Sequence, residues 1–125
     1  METITQDHLD KADSNRDLAI ALLTANLGAS TYDWVAVISF YATVHYIHAH
    51  LWENHAPRSA PHSHKVRLKE MKRDPALMAI AGAYLTLSSN AHLARYIEDG
   101  HISQLTAQDA VRDMLSIEMC IRSLV

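Results

Sequence analysis

The sequence predicts an all-α protein, an up-and-down bundle of four long helices with one extra short helix. Apolar residues recur at helical spacing along most of the 125-residue chain. Three glycines and three prolines are too few for a sheet-rich or disordered chain. No segment shows a convincing strand pattern. A chain of this length is expected to be one domain over residues 1–125.

Glycine and capping residues predict the ends of the first two helices. The first helix is expected over residues 5–27, because Gly28 can stop it there. Ser30 or Thr31 can cap the second helix, which is expected to continue to about residue 54.

The remaining helices are predicted from similar local signals. Ser63 can cap a short third helix over residues 64–72. The pair Asp74–Pro75 suits the N-cap and first position of a fourth helix, expected to reach about residue 97. Gly100 interrupts the chain, and the segment TAQD at residues 106–109 resembles a capping box for the last helix.

The charge distribution indicates a local anion site. The formal charge is −3, yet six of the eleven basic residues lie between Arg58 and Arg73, with a single acid among them. A positive segment on an acidic body favours a local anion site over extensive nucleic-acid coating. A solvated helix face is the alternative.

The chain carries no recognisable signal peptide or membrane-spanning segment, which predicts a soluble cytoplasmic protein. Its single cysteine, Cys120, excludes an internal disulfide and any cysteine-based zinc cluster.

Six of the nine histidines lie between His45 and His64, which raises three interpretations: a metal site, a surface accident, or acid–base chemistry on a charged substrate. At about 100° per residue, His45 and His48 fall at the edge of the core face of the second helix, whereas His50 points away. A zinc site from His45, His48 and His64 stays open. Carboxylates that could orient those rings are scarce, so neither a metal nor a cofactor is predicted.

The third helix is expected to direct two polar side chains inward. Leu68 and Met71 should dock on the bundle and carry His64 and Arg67 with them. Lys65 and the other lysines of this helix should remain in water.

Tyr84, Ser88 and Arg95 lie on one stripe of the fourth helix. An arginine that ends a core stripe is costly unless an anion or an acceptor meets it, which suggests a polar cleft. The alternative is a side chain that snorkels at the helix end.

Four segments together resemble one known family. In order they are RDLAIALLTAN, YDWVAVISFYATVHYIHAHL, SHKVRLKEM and AYLTLSSNAHLARYIEDGHISQLTAQDAVRDMLSIEMCIRSL. Over roughly Asp17 to Leu124 the chain resembles the HEPN (higher eukaryotes and prokaryotes nucleotide-binding) domain. The aromatic-rich second helix beginning YDW and the ARY segment before the last helix are the most telling pieces.

The resemblance implies an all-α bundle that often dimerises. Many HEPN proteins are metal-independent endoribonucleases of toxin–antitoxin, phage-defence or RNA-processing systems, while others bind RNA or a nucleotide, or assemble with protein partners. The family signature is an arginine and a histidine separated by four to six residues. Arg58 and His64 match this spacing, as do Arg95 and His101, and the position late in the bundle favours the second pair.

We therefore predict metal-independent cleavage of RNA by its own 2′-hydroxyl, with a non-catalytic HEPN module as the main alternative. The expected catalytic residues are Arg95 and Arg67 for the phosphate and His64 or His101 for proton transfer. The residues expected to contact or support the substrate are His45, Tyr96, Tyr84, Arg58 and Lys65. The expected partners are RNA or a nucleotide, an antitoxin or other protein, and a second copy of the chain, with no membrane.

Overall fold

The computed structural model describes residues 3–55, 63–97 and 100–125, except for the side chain of His55. Its helices are α1 (Thr3–Ala25), α2 (Ala29–His55), α3 (His64–Lys72), α4 (Pro75–Met78), α5 (Ala81–Tyr96) and α6 (Gln104–Leu124). The described ranges contain no strand, which confirms the predicted all-α class. The four long helices are α1, α2, α5 and α6.

The long helices run alternately up and down, so the bundle has two distinct ends. At one end, the Asp33 carboxylate near the start of α2 accepts a hydrogen bond from the Ile102 amide just before α6. At the other end, His8 near the start of α1 meets His45 in the second half of α2. We call these the α5–α6 loop end and the α3 end, since α3 and α4 lie between the end of α2 and the start of α5.

Buried apolar side chains from all four long helices form a common core. α2 is central, because it contacts α1, α5 and α6. α6 contributes an apolar stripe to this core: Ala110, Met114, Ile117 and Ile121 are buried and Leu124 is half-buried. None of the helices in the described ranges is long and apolar enough to cross a membrane.

A network of charged and phenolic side chains joins α1, α2 and α6 beside this core. The Tyr46 hydroxyl donates to Asp13 Oδ1 at 2.7 Å. Arg16 Nη1 and Arg122 Nε both donate to Glu118 Oε2, at 2.5 and 2.8 Å, and Arg122 also bonds Asp13. Although burial acts to raise it, the pKa of Asp13 is lowered by the hydrogen bonds from Tyr46 and Arg122.

The turn between α1 and α2 is tighter than predicted. α1 ends at Ala25, two residues before the predicted end, because Asn26 adopts a left-handed conformation with φ of 50°. α2 begins at Ala29, directly after Gly28, so Ser30 and Thr31 do not precede the helix as caps. Asn26 is thus the residue that stops α1.

The predicted fourth helix is interrupted. Asp74 caps the amide of Ala76 at 2.9 Å and Pro75 opens α4, as predicted, but α4 ends at Met78. Ile80 leaves helical geometry with φ of −105° and ψ of 0°, and α5 starts after it and ends at Tyr96, not Ile97. Leu77, before the break, and Ile80, at the break, are both buried.

Two other local predictions have opposite outcomes. Ser63 caps α3 as predicted, accepting from the Val66 amide at 3.2 Å. The capping box predicted at residues 106–109 is wrong, because Ser103 caps α6 by accepting from the Thr106 amide at 3.1 Å. Ser103 has the extended backbone that an N-cap requires, and it comes three residues earlier.

His50 is not directed away from the core. It is only 3% exposed, and its Nε2 lies 2.6 Å from Asp74 Oδ2. The segment that joins α3 to α4 brings Asp74 to this side of α2. Asp74 therefore serves both as a helix cap and as a partner of a buried histidine.

Candidate functional site

Arg67 is the centre of a polar cluster at the α3 end. It is 8% exposed, as expected for the inward face of α3. Its Nε donates to His48 Nε2 and its Nη1 donates to the Tyr84 hydroxyl, both at 3.1 Å. Within the described ranges no carboxylate forms an ion pair with it. A buried guanidinium bonded only to neutral acceptors is an unusual arrangement, because burying a charge is costly without a counter-charge.

His64 joins this cluster from the surface. Its Nδ1 lies 2.8 Å from the Tyr84 hydroxyl, and the two rings stack with centroids 5.3 Å apart. Because Tyr84 accepts from Arg67, its own proton is available for His64 Nδ1. Partial burial and the charge of Arg67 lower the pKa of His64. His64 is thus a neutral acceptor at pH 7.

Three histidine rings converge beside Arg67, between α1 and α2. Nitrogen atoms of His8, His45 and His48 all lie within 4.8 Å of one another. His8 Nδ1 and His45 Nδ1 are 3.0 Å apart, so one donates a proton to the other. Burial lowers the pKa of His45 to about 4 and that of His48 to about 3, with Arg67 adding to both effects. Burial also lowers the pKa of His8.

A second site lies at the α5–α6 loop end. An open pocket of about 590 Å³ is lined by Asp33, Trp34, Tyr41, Arg95 and Tyr96, with Ser30, Val37 and Ala94. The Arg95 guanidinium carbon lies 4.7 Å from the ring centroid of Tyr96 and 5.4 Å from that of Tyr41. Two aromatic rings therefore hold the guanidinium at the pocket surface through cation–π contacts. No carboxylate in the described part of the chain forms an ion pair with it.

His101 reaches the edge of this pocket through Asp33. Its Nδ1 lies 3.6 Å from Asp33 Oδ2, while Asp33 Oδ1 accepts from the Ile102 amide at 2.8 Å. Gly100 makes this possible, because a Cβ at that position would lie 2.6 Å from both the Leu93 carbonyl oxygen and its Cδ1. The chain can therefore pass close over α5 and bring His101 back towards α2.

Comparison with known proteins provides no relative from which a function could be transferred. The chain matches no protein-family model, and comparisons with curated proteins and with solved structures find no significant match. Functional assignment therefore rests on the geometry of these two sites.

The residues predicted to act together are divided between the two ends of the bundle. Arg67, His64 and Tyr84 form one cluster, whereas Arg95 lies eleven residues after Tyr84, about 16 Å further along the helix axis. The expected convergence of Arg67 and His64 with Arg95 does not occur, because Arg67 and His64 contact Tyr84 near the start of α5, whereas Arg95 lies near its end. Arg95 is instead grouped with Tyr96 and, through Asp33, with His101.

The other predicted site residues have separate locations. His45 belongs to the histidine trio, in which His8 takes the place that was considered for His64. Lys65 is exposed on the outer side of α3, as expected, where it lines a shallow basic groove with Lys69, Lys72 and Arg73. Arg58 lies outside the described residues.

The sequence contains signals for the site residues that were not predicted. His8 lies beside the core face of α1. That face is defined by Thr5, Leu9 and Ala12, which are buried at helical spacing. Trp34 and Tyr41 are seven residues apart, a spacing that puts both on one face of a helix. That His8 would meet α2 required knowledge of how α1 packs.

Proposed function

We propose that this chain binds RNA in the Arg95 pocket and cleaves it without a metal, through attack of the RNA 2′-hydroxyl on the adjacent phosphate. One observation carries the proposal. An arginine with no described carboxylate partner lies between aromatic rings in an open pocket, with a histidine–carboxylate pair at its edge.

The pocket lining suits a nucleotide unit. Trp34 and Tyr96 are 62% and 61% exposed, so their faces are available to stack on unpaired bases. Arg95 can grip a phosphate with two donors while it remains held by the tyrosine rings. The negative charge of Asp33 is partly offset by the Ile102 amide, which donates to its Oδ1 and limits repulsion of the phosphate.

The proposed reaction uses His101 as the proton acceptor. His101 takes the proton of the 2′-hydroxyl, a bond forms between the 2′-oxygen and phosphorus, and the bond from phosphorus to the 5′-oxygen breaks. The leaving 5′-oxygen receives a proton from an acid, and Arg95 stabilises the charge on the phosphorus centre. The products are a 2′,3′-cyclic phosphate and a 5′-hydroxyl end.

A second copy of the chain is the proposed source of that acid. Exposed apolar side chains surround the pocket at the α5–α6 loop end, and their exposure favours burial of this surface between two copies of the chain. They include Leu27, Ile97 and Leu105. A dimer formed through this end would supply a second His101 to the same cleft. The resemblance to HEPN domains supports this arrangement, and it also leads us to propose an antitoxin or other protein as a further partner.

A non-catalytic RNA- or nucleotide-binding module is the second candidate. His101 is 76% exposed, and its contact with Asp33 at 3.6 Å is longer than a strong hydrogen bond. An imidazole held this loosely suits a module in which the aromatic rings and Arg95 bind without chemistry.

The test is incubation of the purified chain with single-stranded and hairpin RNA in EDTA, followed by analysis of the product ends. Cleavage that leaves 2′,3′-cyclic phosphates, and that falls at least about 100-fold in Arg95→Ala and His101→Ala, supports the enzyme. Arg112→Ala is the matched control, because Arg112 is exposed and lines neither site.

Two results would contradict this assignment. RNA binding that is lost in Arg95→Ala, without cleavage by the unaltered chain, would establish the binding module instead. Absence of both binding and cleavage, in protein shown to be folded by circular dichroism, would remove RNA as the ligand of this pocket.

A further inference from the structure

The His8–His45–His48 trio shares no residue with the pocket of the proposed RNA site, which is lined by α2 and α5. His45 and His48 are one helical turn apart on α2, so their rings share a face. His8 comes from the core face of α1 and completes a triangle, with ring centroids 5.3 Å from each of the other two rings. We propose that these three histidines bind Zn²⁺.

The spacing of the nitrogens is close to what the ion requires. In a tetrahedral site the zinc–nitrogen bonds are about 2.0–2.1 Å, which puts ligand nitrogens about 3.4 Å apart. The 3.0 Å separation of His8 Nδ1 from His45 Nδ1 is near this value, and His48 completes the set within 4.8 Å. The His48 ring has to move closer and release the bond that its Nε2 accepts from Arg67, after which a fourth position stays open for water.

The donor set also suits a metal. Each of the three rings offers a nitrogen, which is a ligand atom that Zn²⁺ prefers. The trio therefore fits a cation with nitrogen ligands.

Two buried polar atoms lie one helical turn along the chain from members of the trio. They are the Thr5 hydroxyl, before His8, and the Trp52 indole nitrogen, after His48, and neither has a hydrogen-bond partner among the described residues.

The test is titration of ZnCl₂ into tag-free, chelator-treated protein, followed by calorimetry and by elemental analysis after gel filtration. We expect one Zn²⁺ per chain and an affinity at least about 100-fold weaker in His8→Ala and in His45→Ala. Co²⁺, used as a spectroscopic probe, should give the visible absorption of a tetrahedral site. His92→Ala is the matched control, since His92 is an exposed histidine outside the trio.

Several outcomes would overturn the zinc site. They are the absence of stoichiometric zinc in the folded chain, unchanged binding in His8→Ala, or equal losses in His8→Ala and His92→Ala. Circular dichroism of the metal-free variants shows whether they are folded. If His8→Ala does not fold, His8→Gln preserves the side-chain bulk and must show the same loss. RNA cleavage in EDTA is a separate readout, so failure of either proposal leaves the other to be judged independently.

Discussion

Arg67 determines the electrostatics of the α3 end. Its Nε donates to His48 Nε2, so the lone pair of that nitrogen is already used. Burial lowers the pKa of His48 and of His45, and the positive charge of Arg67 lowers both further. A guanidinium that disfavours protonated rings also disfavours a zinc ion on the same rings. Arg67 and the proposed zinc ion therefore compete for His48.

This competition predicts that Arg67→Met binds Zn²⁺ about tenfold more tightly than the unaltered chain, because a nearby positive charge and a competing donor are both removed. Calorimetry measures the change. Lys69→Met is the matched control, since Lys69 is an exposed cation on the same helix. Equal affinities in the two variants would show that Arg67 does not oppose the ion.

Asp13 gives a second residue-scale prediction, on the pH dependence of stability. The network of Tyr46, Arg16, Arg122 and Glu118 surrounds its carboxylate, and its pKa is lowered in the folded chain. A carboxyl group with a lowered pKa stabilises the fold above its unfolded pKa of about 3.9, and this contribution is lost as the pH falls through the folded value.

Asp13→Asn should therefore reduce the free energy of unfolding by about 1 kcal/mol at pH 7, a value discounted for partial exposure. The difference should shrink when the pH is lowered from about 5 to about 3. Urea unfolding at both pH values measures it. Asp17→Asn is the control, because Asp17 is exposed and bonds only Arg16 in the described structure. A difference that is constant with pH would contradict the linkage to Asp13.

At the scale of elements, the helix ends show which local sequence signals are sufficient to fix where a helix begins or ends. Ser63 and the Asp74–Pro75 pair act as predicted, because a capping side chain needs only the amides of its own first turn. The break at Ile80 has no such local signal. Leu77 and Ile80, at this break, are both buried in the tertiary structure.

The α5–α6 connection supplies the prediction at this scale. Gly100→Ala places a methyl group 2.6 Å from the Leu93 carbonyl oxygen, so the backbone must shift. The expected loss in the free energy of unfolding is about 1–3 kcal/mol, because overpacking strains its surroundings. In the proposed enzyme, RNA cleavage should fall as well, since the shift moves His101. Urea unfolding and the RNA assay measure the two effects.

Gly82→Ala is the matched control for this change. A Cβ at Gly82 meets nothing within 4 Å, and alanine is the better helix former. This variant should be unchanged or more stable by up to about 1 kcal/mol. A Gly100→Ala protein as stable and as active as Gly82→Ala would show that close approach to Leu93 does not position the loop.

At the scale of the whole molecule, the up-and-down topology separates two sites of different character. The α3 end collects neutral histidines around one buried guanidinium, whereas the α5–α6 loop end exposes aromatic rings around Arg95. On α2, His45 of the trio and Tyr41 of the pocket are one helical turn apart, but His45 contacts α1 and Tyr41 contacts α5, so the two sites share no residue.

We therefore predict that the two sites respond independently. His45→Ala should abolish zinc binding and change RNA binding or cleavage by less than about twofold, and Arg95→Ala should show the reverse. The double variant should equal the sum of the two single effects in free energy. A substantial loss of RNA activity in His45→Ala, in folded protein, would show that the ends are coupled.

Local pattern determined the fold class, most helix positions and the inward direction of Arg67. Helical periodicity and caps act between residues three or four apart, so they can be recognised in the chain itself. Only tertiary structure decided that His8 joins His45 and His48, that His50 meets Asp74, and that Arg95 lies apart from Arg67. These contacts join residues distant in sequence, and they depend on how one helix packs on another, which no local pattern specifies.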